Sequence, residues 1–589
     1  MDNAQLRAKA QDYVLWEQHP DFKAEIEQLL AKEDWTELQE RFYTELSFGT
    51  GGIRGIMGGG FNRMNPFMVQ RASEGLARYV KANGTKAPDG SMRMVIAYDN
   101  RNNSRLFAEA AASVFAAHGL VVYLFSELRP TPELSFAVRH LRASAGIVLT
   151  ASHNPKKYNG YKVYWDDGAQ VIPPHDQGII DMVNAVKSDI ASIDLETARR
   201  KGLFHSIDTV IDQAFLAMAR AQLVRTDLFA HAKDLKIVFT PLHGTGGVLI
   251  PKVCADLGMN ISTVAAQSIP DGDFPTIVSP NPEEGSALRM ALDQGKAEGA
   301  ELVIGTDPDA DRIGIAVAKD GDFVLLNGNQ HGVLLVDYLF SALKASGKLP
   351  KDPAFVNTIV TTELQRVIAA SYGASVHTTL TGFKWIAAKM REFEKAGTPT
   401  YIMGDEESYG FLIGREVRDK DAITATLLTI EMALYWRSQG QGLLERLDDI
   451  YRKFGFYQEI QIAKEFEGAA GVQKIAGLMA YIRKSPPETL AGLAVVELRD
   501  IENGTVTRIK DRSVITSKDL PSSNVLQFVL SDGTIISARP SGTEPKIKFY
   551  ASVGSAPSKD LESAKQAVAL KIAAIRTDIE SLIKAAVGA

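Results

Sequence analysis

From about residue 92 the sequence alternates short apolar runs with helix-length amphipathic segments, and it returns to that alternation twice more. Residues 92–98 (MRMVIAY) predict a buried strand, 105–118 a helix, 120–125 a strand, 132–141 a helix and 146–150 (GIVLT) a strand. The order recurs at 235–240, 248–257, 261–266, 285–298 and 301–305, and again at 355–361, 363–371, 375–379, 384–396 and 400–403. Strands alternating with helices of about 10–15 residues predict βαβ units and parallel sheets. Three units with one element order point to an internal repeat whose sequence identity has faded.

The flanking segments differ. Residues 1–46 predict charged amphipathic helices, including 21–31 and 35–46, with no recognisable site chemistry. Near the other end, short strand-like runs at 493–498, 525–530 and 547–552 precede one long helix at 558–585, which predicts an α+β domain. The expected division is a helical extension at 1–46, α/β domains at 47–207, 208–322 and 323–455, a helical linker at 456–488 and an α+β domain at 489–589. A chain of 589 residues is too long for one core, and a length of roughly 100–200 residues per domain agrees with this division.

Composition narrows the function. Basic and acidic residues nearly balance, 65 against 71, so neither nucleic acid nor a membrane surface is an expected partner, and an anionic substrate needs a local cluster of cations. Cys254 is the only cysteine and excludes an internal disulfide, and no run of about 18 apolar residues predicts a membrane span. With no signal-peptide pattern at 1–18, the expected location is the cytoplasm.

In each α/β unit a strand runs into a polar loop: 150–155 (TASHNP), 305–312 (GTDPDADR) and 404–410 (GDEESYG). Ligands of parallel α/β sheets bind beyond the carboxyl ends of the strands, so these loops are the natural site candidates. Asp307, Asp309 and Asp311 gather like charge in a small space. At about 4 Å each pair repels by about 4 kcal/mol at an effective dielectric near 20, and a cation relieves that. An EF-hand would need glycine where Arg312 stands and glutamate where Ala318 stands, so a Mg²⁺ site with a place left for a phosphate oxygen fits better than a Ca²⁺ loop. A solvated acidic turn is the bland alternative.

Ser152 follows its strand directly and is placed to present a hydroxyl, although a plain turn residue is the common reading of such a serine. The G-x-S-x-G elbow of serine hydrolases is missing. His153 is a catalytic candidate too, but adjacent side chains on an extended chain diverge, which makes it an awkward base for Ser152. Lys162, in NGYK, is a candidate acid–base group, and 539–546 (RPSGTEPK) offers Arg539, Ser541, Gly542 and Thr543 to a phosphate. The loop 49–55 (GTGGIRG) fails the dinucleotide fingerprint at Arg54, and 243–247 (HGTGG) reads as a strand-to-helix turn.

Taken together and in this order, the four loops resemble those of the α-D-phosphohexomutase superfamily over about 48–553. The resemblance implies three related α/β domains and a C-terminal α+β domain around a central cleft. It implies phosphorylated Ser152 in TASHNP, with Asp307, Asp309 and Asp311 holding Mg²⁺ together with a phosphoserine oxygen. Glu406 and Ser408 would meet sugar hydroxyls, and RPSGTEPK a phosphate. Arg54 and Lys162 are similar to active-site residues of the family, the lysine as general base, and Arg312, Thr381, Gly382 and Lys420 to substrate-binding ones.

The implied reaction interconverts glucose 1-phosphate and glucose 6-phosphate through a bound sugar 1,6-bisphosphate, which also serves as activator. Length and N-terminal helices resemble the longer phosphoglucomutase branch that includes phosphopentomutases. Tyr409 stands where some relatives have a histidine, so a histidine acid–base group is not available there. Phosphomannomutase and phosphopentomutase activity remain alternatives, with a metal-dependent phosphatase or an inactive sugar-phosphate-binding protein behind them. Monomer and homodimer are both open.

Overall fold

The computed structural model describes residues 1–49, 51–259, 261–466, 469–541 and 546–587. The chain divides into two compact units, Met1–Gly328 with Ser408–Tyr435, and Asn329–Glu407 with Trp436–Ala589.

The first unit holds two sheets. One has the order Gly52–Ile56, Tyr158–Trp165, Ala145–Leu149, Arg93–Tyr98, Val121–Phe125, Phe204–Ile207. The last four strands run parallel, as their helical connections require, while Tyr158–Trp165 turns back antiparallel to Ala145–Leu149 and carries Gly52–Ile56 at the edge. Ala145–Leu149 is buried along its whole length, which explains its unbroken apolar run. The second sheet sets Leu302–Thr306 and Ile261–Thr263 parallel to Ile237–Thr240, then adds Ile313–Lys319 and Asp322–Leu326 antiparallel.

The helices at the start of the chain pack on this unit through Tyr13, Ile26, Leu38 and Phe42, which cluster with Phe61 and Phe67. Tyr13 and Phe61 meet edge to face with ring centroids 5.5 Å apart. Glu17 lies in the same buried layer, and its carboxylate accepts the Tyr13 hydroxyl at 3.0 Å and the Phe67 backbone N–H at 3.1 Å. A buried carboxylate thus satisfies the Phe67 N–H in the first turn of the helix Pro66–Asn83.

In the second unit, Pro353–Thr358 pairs in parallel with both Ser375–Thr379 and Thr400–Glu406. The remaining sheet is antiparallel and carries the helices Ala469–Lys484 and Leu561–Val587. One expectation is corrected here. Residues 456–488 are not a helical linker throughout: Tyr457–Glu465 is a strand paired over its whole length with Lys546–Gly554. Its burial does not alternate cleanly, so period-two patterning could not reveal it.

Candidate active site

Ser152 is the third residue beyond the buried strand Ala145–Leu149. Its backbone N–H donates to Thr150 Oγ1 at 2.8 Å, and its φ is +52°. A non-glycine residue there costs about 1–2 kcal/mol, and the turn so made presents the hydroxyl. Ser152 Oγ donates to Asp307 Oδ2 at 2.7 Å, across 155 residues of sequence. The turn also defeats the expectation that His153 diverges, since His153 Nδ1 lies 3.2 Å from Ser152 Oγ. Burial, then the charges of Arg312 and Arg54, push the His153 imidazolium pKa down to about 3, so the ring is neutral.

Asp307, Asp309 and Asp311 follow the strand Leu302–Thr306, and each offers an oxygen within 4.8 Å of the others. All three are buried. The turn is wound around Asp307 Oδ1, which accepts the N–H groups of Asp311 at 3.1 Å and Arg312 at 3.0 Å. Asp309 is held by Thr131, whose N–H reaches its carbonyl at 2.9 Å and whose hydroxyl reaches Oδ2 at 2.8 Å. Thr245 donates both its N–H and its hydroxyl to the Pro308 carbonyl, at 2.8 and 2.9 Å. Neighbouring Gly244 lies so close that a Cβ would stand 2.4 Å from Pro308 Cα. The HGTGG turn is therefore a buttress under the aspartate loop.

Burial, and after it Asp309 and Asp311, raise the Asp307 carboxyl well above the usual carboxylate range. Lys162 donates to Asp309 Oδ2 at 2.8 Å, and Lys420 lies 3.0 Å from Asp311. Asp309 Oδ1 and Asp311 Oδ1 have no hydrogen-bond partner among the described residues. Buried, all-oxygen and partly unpartnered, this donor set fits a hard divalent cation. Burial alone would lower the Lys162 pKa, but Asp309 and Asp311 outweigh it and the net shift is upward, so the lysine holds its proton.

Arg54 enters from the strand Gly52–Ile56, where the sequence suggested only a loop, and donates to Asn154 Oδ1 at 3.1 Å. It pairs with Gly160, two residues from Lys162, so Arg54 and Lys162 share a face of the sheet. Arg312 bonds Glu283 at 2.7 Å beside Asp311. Ser152, His153, Asp307, Asp309, Asp311, Lys162, Lys420, Arg312 and Arg54 thus gather within one unit.

Ser408 is partly buried and belongs to the first unit, while Glu406 ends the strand Thr400–Glu406 and accepts the Gly382 N–H at 2.6 Å, next to Thr381. Glu407 accepts from the hydroxyls of Thr361 at 3.1 Å and Thr358 at 3.3 Å. Burial and then Glu406 push its carboxyl pKa up to about 7. Arg539 lies on the strand Ile535–Pro540, and the Ser541 N–H donates to the Lys546 carbonyl at 2.7 Å. Gly542 and Thr543 lie outside the described residues.

Sequence reasoning missed Thr131, Thr245 and Arg101. Arg101 is 3% exposed, and its guanidinium donates to the carbonyls of Ser152 (2.5 Å), Asn154, Pro155 (3.1 Å) and Tyr158 (2.9 Å). The one available signal was the polar turn 99–104 (DNRNNS) at the end of a buried strand.

Comparison with known proteins agrees with this arrangement. Residues 45–189, 216–321 and 327–454 match the alpha/beta/alpha domains I, II and III of phosphoglucomutase/phosphomannomutase. A phosphoglucomutase of Staphylococcus epidermidis is 38% identical over 521 residues, spanning 88% of this chain and 92% of its own. One from Staphylococcus aureus is 37% identical over 528 residues, spanning 88% and 91%. Among solved structures, parafusin of Paramecium superposes with a TM-score of 0.67 at 19% identity, over 92% of this chain and 96% of its own. A family protein of Burkholderia thailandensis gives 0.63 at 19% identity, over 92% and 98%. With all three domains matched in order and the aspartate triad set against the serine loop, the chain belongs to the phosphoglucomutase/phosphomannomutase family.

Proposed function

We propose that this phosphosugar mutase interconverts α-D-glucose 1-phosphate and glucose 6-phosphate, with Ser152 carrying the phosphoryl group and a sugar 1,6-bisphosphate as bound intermediate and activator. The observation that carries the reading is the 2.7 Å hydrogen bond joining Ser152 Oγ to Asp307. A nucleophile and a buried carboxylate triad have little other reason to be built against each other.

Asp307, Asp309 and Asp311 hold Mg²⁺, which when bound disperses charge on the transferring phosphoryl group. In the first half-reaction the Ser152 Oγ–P bond breaks as a sugar hydroxyl oxygen bonds phosphorus. Lys162, held 2.8 Å from Asp309, relays the proton from the sugar hydroxyl to the departing Oγ. Arg54 and Arg312 bring positive charge to the phosphoserine side. Neutral His153 accepts or donates one hydrogen bond at Ser152 Oγ. The bisphosphate then returns its other phosphate to Ser152 after turning around. Glu406, Ser408, Thr381, Gly382 and Lys420 bind the sugar phosphate, and Arg539, Ser541, Gly542 and Thr543 the phosphate that does not react.

The substrates are small sugar phosphates, and the proposed domains are those set out from the sequence, with a strand at Tyr457–Glu465 in place of helix. No helix among the described residues is long and apolar enough to cross a membrane, and we place the enzyme in the cytoplasm.

A coupled assay tests the proposal. Glucose 1-phosphate is expected to give the highest kcat/KM in comparison with mannose 1-phosphate and ribose 1-phosphate, and Ser152→Ala is expected to lose turnover to background. A clear ribose preference would overturn the choice of sugar, and near-normal turnover in Ser152→Ala would overturn the role of Ser152.

A further inference from the structure

We infer that Arg101 is the positioning residue that fixes the Ser152 loop for phosphoryl transfer, gripping four of its backbone carbonyls while Phe274 covers the guanidinium. The inference rests on the proposed role of Ser152.

The loop that carries Ser152 has little rigidity of its own. Its backbone N–H groups are tied internally at Ser152 to Thr150 Oγ1, at Asn154 to the Ala151 carbonyl at 3.1 Å and at Tyr158 to the Pro155 carbonyl at 3.0 Å, beside the Ser152 Oγ–His153 bond. A left-handed backbone at a serine persists only where its surroundings over-determine it. Arg101 supplies that: one planar fork reaches the carbonyls of Ser152, Asn154, Pro155 and Tyr158, which turns four separate chain positions toward a single centre. Asp99 steadies the guanidinium from behind at 3.4 Å and also accepts the Arg101 backbone N–H at 2.9 Å.

The same residue touches the part of the unit that carries the aspartates. The Phe274 ring centroid lies 5.4 Å from Arg101 Cζ. Nearby, Asn100 Nδ2 donates to the Asp271 carbonyl at 2.9 Å, and Gly272 is pressed so close that a Cβ would meet Asn102 N at 2.5 Å. The turn 99–104 therefore joins the serine loop to residues 271–274, in addition to the direct bonds of Ser152 to Asp307 and of Thr131 and Lys162 to Asp309. The Ser152–Asp307 distance depends on that joint. Lysine cannot replace the arginine, because an ammonium offers three donors from one point instead of a planar fork.

Arg101→Lys keeps the charge and removes the fork. The full-length enzyme is assayed with glucose 1-phosphate and glucose 1,6-bisphosphate, with rates referred to the phosphorylated Ser152 sites counted by intact mass. A misplacement on the order of 1 Å predicts a fall in kcat per site of about 100-fold with KM within about threefold. More of the phosphoserine should be lost to water per transfer, and amide exchange should quicken in 150–158 but not in the strands beyond. A general loss of folded protein lowers the site count and leaves the rate per site and the water-to-transfer ratio unchanged.

Phe274→Leu leaves the hydrogen bonds in place, and its expected loss is about threefold to tenfold in the same direction. A folded Arg101→Lys with wild-type kcat per site, or with only KM raised, overturns the inference. Should Arg101→Lys aggregate, an unchanged kcat and unchanged exchange in Phe274→Leu overturn it instead. Ser152→Ala run alongside separates the two claims. If it is active, the reading of Ser152 falls and takes the inference with it; if it is inactive beside a fully active Arg101→Lys, only the inference falls.

Discussion

Thr131→Val probes the metal loop without touching a ligand atom. The substitution keeps the shape and the β-branch of threonine, and it keeps the backbone N–H bond to the Asp309 carbonyl, so only the 2.8 Å bond from Thr131 Oγ1 to Asp309 Oδ2 is lost. Both residues are fully buried, and water cannot replace the missing donor. A hydrogen bond to a charged group contributes about 1.5–3 kcal/mol, although Lys162 still donates to the same oxygen and restrains the loss. Partners that orient a metal ligand typically account for about 10–100-fold in metal affinity, the same range in different units. The expectation is a Mg²⁺ requirement raised by about 10–100-fold, with kcat at saturating Mg²⁺ within about threefold of wild type. Titration of turnover against Mg²⁺, backed by direct calorimetric binding of the metal, reads this out, and Thr131→Ser should restore most of it. An unchanged Mg²⁺ titration would refute the reasoning, since Asp309 would then hold its place without the hydroxyl.

Other outcomes follow from the same geometry. Lys162→Met should lower kcat by about 10²–10⁴ at saturating Mg²⁺ with little change in KM, measured in the coupled assay. Gly244→Ala forces a methyl against Pro308 and should weaken metal binding or cost about 1–3 kcal/mol of stability in denaturant unfolding. Glu407 has a raised carboxyl pKa, so folding favours its protonated form; that contribution is complete below the ordinary glutamate pKa and is lost as pH rises through about 7. Glu407→Gln lacks the dependence, and its thermal midpoint should gain on wild type between about pH 5 and about pH 8.

Much of this was legible from patterning. The strand Ala145–Leu149 and the helix Gly285–Glu298 are continuous, strongly typed segments whose neighbours cannot override them. The three aspartates announced themselves because a run of alternate carboxylates has few benign explanations. What stayed hidden was set by long-range partners. Arg101 looks like any arginine in a polar turn until four carbonyls from 152–158 are seen around it. Tyr457–Glu465 is defined by the edge it pairs with, not by its own alternation. His153 was misjudged because the extended-chain rule fails at a left-handed Ser152.

The pairing of Arg54 opposite Gly160 carries a consequence for how such chains can diverge. A slip of this edge strand by one residue against Tyr158–Trp165 would let it pair again, yet every side chain on it would swap sides and the guanidinium would point away from Asn154. A slip of two residues would restore the parity. The face that Arg54 presents is therefore set by its pairing with Gly160, and the length of the glycine-rich entry is free to vary as long as that pairing is kept.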